Sequence, residues 1–108
     1  MSLQSQLYAI VDNIRSHVKV PNIDNPYIRS VWIMGRNVGA SKVRTAVRKK
    51  PNEALPFLKS APKALREQMG KEASDMWLDG YNASVEFVQR KINVMIFNAT
   101  GGQAMIAR

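Results

Sequence analysis

The sequence predicts an all-α fold, a compact bundle of four to five helices with a long C-terminal helix. Three observations carry that prediction. Apolar residues recur at spacings of three and four in each long segment, the signature of one helical face. Proline and Asn/Asp clusters punctuate the chain where such segments meet. Only one run, INVMIFNA at 92–99, is β-branched enough to read as a strand, and a lone strand has nothing to pair with. The 108 residues, 45% of them hydrophobic, support one core and one helical domain over 1–108. Residues 100–108 read as a flexible tail.

The elements follow in order. Leu3, Leu7, Ile10, Val11, Ile14 and Val18 place an amphipathic helix over 3–18, and Pro21 within VPNIDNP ends it. Asn25-Pro26 starts the next helix: asparagine caps it, and proline occupies the first position, where its missing N–H is not needed. That helix runs to Lys50 with Tyr27, Val31, Met34, Val38, Val43 and Val47 as core positions, and Pro51 stops it. Residues 51–60 read as a turn with a short helix. Ser60-Ala61-Pro62 opens another short helix through Gln68, with Gly70 as its C-terminal cap. The last helix spans about Lys71 to Phe97, with Glu72 and Asp75 complementing the positive end of its dipole. Its core stripe is Ala73, Trp77, Gly80, Ser84, Phe87, Val88, Lys91 and Met95.

Composition excludes several functions. There is no cysteine, so disulfides, thiolate nucleophiles and zinc–thiolate sites are ruled out, and the chain fits a reducing cytoplasm. The single histidine, His17, reads as a rim residue and cannot supply a multi-histidine metal site. No apolar run approaches the roughly 18 residues of a membrane span, which predicts no membrane partner. No phosphate-binding glycine loop, nucleophile elbow or His–carboxylate pair occurs, so the expectation is a protein that is not an enzyme and needs no cofactor or metal.

Charge then narrows the partner. Lys and Arg number 16 against 8 Asp and Glu, a net charge of +8. Seven of the basic residues (Arg29, Arg36, Lys42, Arg44, Arg48, Lys49 and Lys50) fall between Asn25 and Asn52 with no acid among them. The acids Glu72, Asp75, Asp79 and Glu86 gather in the last helix. They read either as a solvated face or as a divalent-metal or acid/base site. A basic helix of this kind predicts a nucleic-acid partner held by Arg36, Lys42, Arg44, Arg48, Lys49 and Lys50, which read as one broad positive band. Asn37, Ser41 and Thr45 lie nearby as hydrogen-bonding residues. Five phosphate contacts give a salt slope of about −4 to −5 on duplex DNA and less on single strands.

The chain also echoes itself. Residues 32–40 read WIMGRNVGA and residues 77–85 read WLDGYNASV: a tryptophan, then glycine at +3 and asparagine at +5, 45 residues apart. A glycine inside a helix costs roughly 1 kcal/mol against alanine, so Gly35 and Gly80 need a structural reason. Trp32, Gly35, Gly39, Trp77, Gly80 and Tyr81 therefore read either as a tight helix crossing or as a surface on which bases stack.

Trp77-Leu78-Asp79-Gly80-Tyr81-Asn82-Ala83 resembles the W-x-x-G-[WY]-x-x-A signature of the ribosome modulation factor family, small basic bacterial and phage proteins, through Trp77, Gly80 and Tyr81; Ala83 falls one place before the signature's alanine, where this sequence has Ser84. Gly35, Gly39 and Ala40 match that family's earlier G-x-x-x-G helix. Here 37 residues separate Gly39 from Trp77, where the family has a short linker, and Asn25-Pro26-Tyr27 precedes the first helix instead of lying between the two. The resemblance implies glycine-packed helices, a ribosomal RNA partner and a role in silencing translation. It sets RNA above DNA as the expected partner of a cytoplasmic protein acting by occupancy. Two other readings stand beside it: a phage or mobile-element module that inhibits or recruits a host protein, and a small DNA-binding regulator. The opposite charges of the two long helices also allow a homodimer.

Overall fold

The computed structural model describes residues 3–49 and 57–100. They form four helices and, among the described residues, no strand: α1 (Leu3–Asp12), α2 (Ile14–His17), α3 (Pro26–Lys49) and α4 (Lys63–Thr100). The fold is all-α, and 92–99 continues α4 instead of forming a strand. Residues 50–56 and 101–108, which hold most of the expected turn with a short helix (51–60) and of the expected tail (100–108), lie outside the described residues; residues 57–60 are described and form no helix, and Thr100 is the last residue of α4.

The first predicted helix is broken at Asn13, which separates α1 from α2. The Asn13 N–H donates to the Ile10 carbonyl at 3.1 Å, an i→i−3 bond that tightens the turn where α1 ends, and the Ser16 hydroxyl donates to the Asn13 carbonyl at 3.0 Å, a local side-chain bond of the kind that competes with a continuous helix. Asn25 caps α3 as the sequence implies: its Oδ1 accepts the backbone N–H groups of Tyr27 (2.9 Å) and Ile28 (3.3 Å). Gly70 (φ 84°, ψ 175°) is the point where the short arm at the start of α4 bends into the main helix. That backbone region is essentially restricted to glycine.

The 45-residue echo is a spatial repeat. A Cβ on Gly35 would meet the Trp77 carbonyl, and a Cβ on Gly80 would meet the Trp32 carbonyl. One turn further along, Gly39 lies against the Tyr81 carbonyl, and the Ser84 hydroxyl donates to the Arg36 carbonyl at 2.8 Å. Each of these four contacts joins a residue of one phrase to a residue three places from its counterpart in the other. Helices α3 and α4 therefore run in the same direction, related by an approximate two-fold axis between them. Small residues at the seam let the two backbones touch, and the Trp32 and Trp77 side chains are 1% and 4% exposed.

α1 packs against both α3 and α4, and α2 packs against α4. Leu7, Val11 and Ile14 join one buried core with Val43, Val47, Val85, Val88 and Ile92. Phe87 stacks on His17 at 5.8 Å between centroids. The segment entering α4 is strapped down by Asn82, whose Nδ2 donates to the Leu58 carbonyl (2.8 Å) while its Oδ1 accepts the Leu58 N–H (3.1 Å).

Three expected core positions on α3 are corrected. Tyr27, Met34 and Val38 are 56%, 49% and 37% exposed, whereas Val31, Val43 and Val47 are buried. The glycine seam fixes which stripe of α3 faces inward, and Gly35 and Gly39 take the places that longer side chains would otherwise fill. On α4, Lys91 lies in solvent over the Phe87 ring (5.7 Å) instead of in the core stripe, and Tyr81, Val85 and Ile92 take up the burial.

Candidate nucleic-acid interface

The polar edge of α3 and the polar face of α1–α2 border a groove. On α3, Asn37, Ser41, Arg44, Thr45 and Arg48 succeed one another at spacings that keep them on one side of the helix. Facing them are Tyr8, Asp12 and Arg15, one helical turn apart. The groove has two adjoining hollows that share Ser41 and Arg44. One, of about 260 Å³, is lined by Tyr8, Ser41, Arg44, Thr45 and Arg48. The other, of about 310 Å³, is floored by Val11, Ile14 and Ala40 and edged by Arg15, Asn37 and Asp12. From Asn37 to Arg48 the α3 edge is roughly 16 Å long at 1.5 Å per residue.

Each side chain has a defined setting. The Arg44 guanidinium lies 4.7 Å over the Tyr8 ring and is ion-paired through Nη1 with Asp12 Oδ1. The Thr45 hydroxyl donates back to the Ser41 carbonyl at 3.2 Å. Arg36 is half-buried: it donates to the Val18 carbonyl at the end of α2 (3.3 Å) and to Asn37 Oδ1 (3.4 Å). Burial, and then the nearby Arg15 charge, hold its pKa below the usual arginine range.

The single positive band expected along α3 is resolved into three parts. Arg44 and Arg48 lie in the groove. Arg36 turns inward and ties α3 to α2. Lys42 and Lys49 are exposed, roughly 130° around the helix from the arginine edge at 3.6 residues per turn. Lys50 lies outside the described residues. Sequence reasoning missed Arg15, Tyr8 and Asp12, because the first helix was read for its apolar stripe alone. Their spacing of three and four on its polar face was the available signal.

The aromatic and glycine set lies elsewhere. Trp77 and Tyr81 stack on each other (5.3 Å) inside the protein, and Trp32 Nε1 donates to Asp79 Oδ2 at 2.7 Å. All three rings are 4% exposed or less. They pack the helix crossing and present no open face to a base. Burial also raises the Tyr81 pKa.

Nor do the four acids converge. Asp75 pairs with Lys71 (2.7 Å) and Asp79 with the Trp32 indole. Among the described residues no group of three or more His, Cys, Asp or Glu side chains is placed to hold a metal. Among the same residues, no helix is long and apolar enough to cross a membrane. Comparison with protein families, with curated proteins and with solved structures finds no match for this chain.

Proposed function

We propose that this protein is a small nucleic-acid-binding protein that seats a strand along the α1–α2/α3 groove and acts by occupancy. The observation that carries the reading is the groove itself. Arg15, Arg44 and Arg48 edge a continuous polar channel furnished with Ser41, Thr45 and Asn37, a set suited to phosphate and sugar oxygens. The preference for RNA, and for a role in modulating translation on the ribosome, rests on the resemblance of Trp77–Ala83 to the ribosome modulation factor signature. No catalytic role is proposed for any residue. The test is to recover the tagged protein from cells with and without ribonuclease. Nuclease-sensitive RNA travelling with it supports the reading, and a clean preparation carrying only nuclease-resistant protein opposes it.

A second reading is favoured by the N-terminal part of α3. Tyr27, Met34 and Val38 are exposed there, and Tyr27 and Met34 border an apolar hollow of about 340 Å³ with Leu65 and Met69. A host protein or a second copy of the chain would dock on such a face. The same recovery experiment reports it as a nuclease-resistant partner.

A further inference from the structure

The groove carries its own anion. Asp12, at the end of α1, pairs with Arg44 across the mouth of the groove, and the two side chains are 62% and 52% exposed. Pairs that open to water contribute little to stability, and α1 is already anchored by the buried Leu7 and Val11. What the pair does achieve is placement. Held by Asp12 on one side and the Tyr8 ring below (4.7 Å), the Arg44 fork is fixed at the edge of the 260 Å³ notch. Among the described residues that notch is lined by two guanidiniums, two hydroxyls and a phenol, and by no carboxylate. A phosphodiester offers an arginine fork the same two acceptor oxygens as a carboxylate.

Building on the RNA-binding reading above, we infer that this notch is a phosphodiester subsite and that Asp12 sets its affinity. The Asp12 carboxylate holds the Arg44 fork in the place of an RNA phosphate and is displaced when the strand seats. Displacement is easy because the pair is solvent-exposed. An isolated anion gains nothing over the carboxylate already present, whereas a strand making further contacts at Arg15 and Arg48 outcompetes it. Asp12 thus favours a polyanion over a free phosphate.

The experiment measures binding of a fluorescently labelled single-stranded oligouridylate by anisotropy. It compares wild type, Asp12→Asn, Arg44→Gln and the double variant, with circular dichroism melts confirming the fold of each. Asp12→Asn is expected to bind about two- to fivefold tighter, a single exposed charge's worth. Arg44→Gln is expected to bind more weakly, with the salt slope reduced by about 0.7. The gain from Asp12→Asn should vanish in the Arg44→Gln background. Tightening that persists without Arg44 overturns the subsite in favour of a general charge effect. Equal or weaker binding by a folded Asp12→Asn protein also overturns it, while leaving the RNA-binding reading intact. If wild type binds no RNA and Asp12→Asn does, the subsite stands with Asp12 as its lock, and the reading of a constitutive RNA binder falls. If neither binds, both are refuted.

Discussion

Replacing Gly35 with alanine puts the helix crossing to a direct test. By helix propensity alone the change stabilises, by roughly 1 kcal/mol. The packing demands the opposite. A Cβ on Gly35 falls 2.8 Å from the Trp77 carbonyl carbon and 3.0 Å from its Cα, and closer still to the oxygen. All three atoms are backbone, so no side-chain rotation relieves the overlap, and α3 must move away from α4. A separation of even 0.5–1 Å forfeits about a quarter to a half of each contact along the seam. That seam includes Trp32, Gly39, Trp77, Tyr81 and Ser84. Overpacking ordinarily costs about 1–3 kcal/mol. With the obstacle in backbone, the net loss is set at about 3 kcal/mol after the propensity gain. For a domain of this size the melting temperature should fall by roughly 10–15 °C. Thermal melts followed by circular dichroism, with urea titrations in parallel, measure it. Gly80→Ala should behave alike, because its Cβ meets the Trp32 carbonyl in the reciprocal arrangement. An unchanged or raised melting temperature for Gly35→Ala would show that the helices do not cross here.

Other substitutions probe the remaining elements. Gly70→Ala meets nothing within 4 Å, so its expected loss of about 1–3 kcal/mol is purely the strain of an L-residue at that φ and ψ. Urea unfolding checks it, and wild-type stability would contradict a sharp bend at Gly70. Asn82→Ala leaves the Leu58 N–H and C=O without their partner and should destabilise by about 1–2 kcal/mol, with faster hydrogen exchange at the Leu58 amide. Tyr81 supplies a pH test. Burial raises its pKa above 10.0, so the unfolded chain ionises first. Stability is therefore full below pH 10 and declines as pH rises past it. Tyr81→Phe should flatten that alkaline decline, and an identical pH profile in the variant would refute the assignment.

Much of the fold was legible because local chemistry decides it. Asn25-Pro26 and Gly70 announced a helix start and a helix end on capping and backbone grounds alone, and the Trp-x-x-Gly echo marked the two stretches that cross. What the sequence could not show was which of several apolar stripes on α3 would turn inward. Tyr27, Met34 and Val38 satisfy helical spacing as well as Val31, Val43 and Val47 do, and only the position of α4 chooses between them. The site was harder to read for a related reason. Arg36, Lys42, Arg44, Arg48 and Lys49 are close in sequence, but helical rotation and one tertiary contact, Arg36 to the Val18 carbonyl, send them three different ways. Tyr8 and Arg15 join the groove only because α1 packs against α3 and the end of α2 is tied to α3 through Arg36. The acidic residues of α4 likewise find partners by folding: the Trp32 indole claims Asp79 from 47 positions away.

The groove's role as the RNA contact rests most directly on one quantity, the dependence of RNA affinity on salt. Three strand contacts, at Arg15, Arg44 and Arg48, predict that log K against log [NaCl] for a single-stranded oligouridylate falls with a slope of about −2. Neutralising all three arginines to glutamine in a protein that still folds should remove that slope together with the binding, while Lys42→Gln and Lys49→Gln leave both nearly unchanged. A slope that survives in the triple variant, or one that is lost with the two lysines, would contradict the groove as the interface.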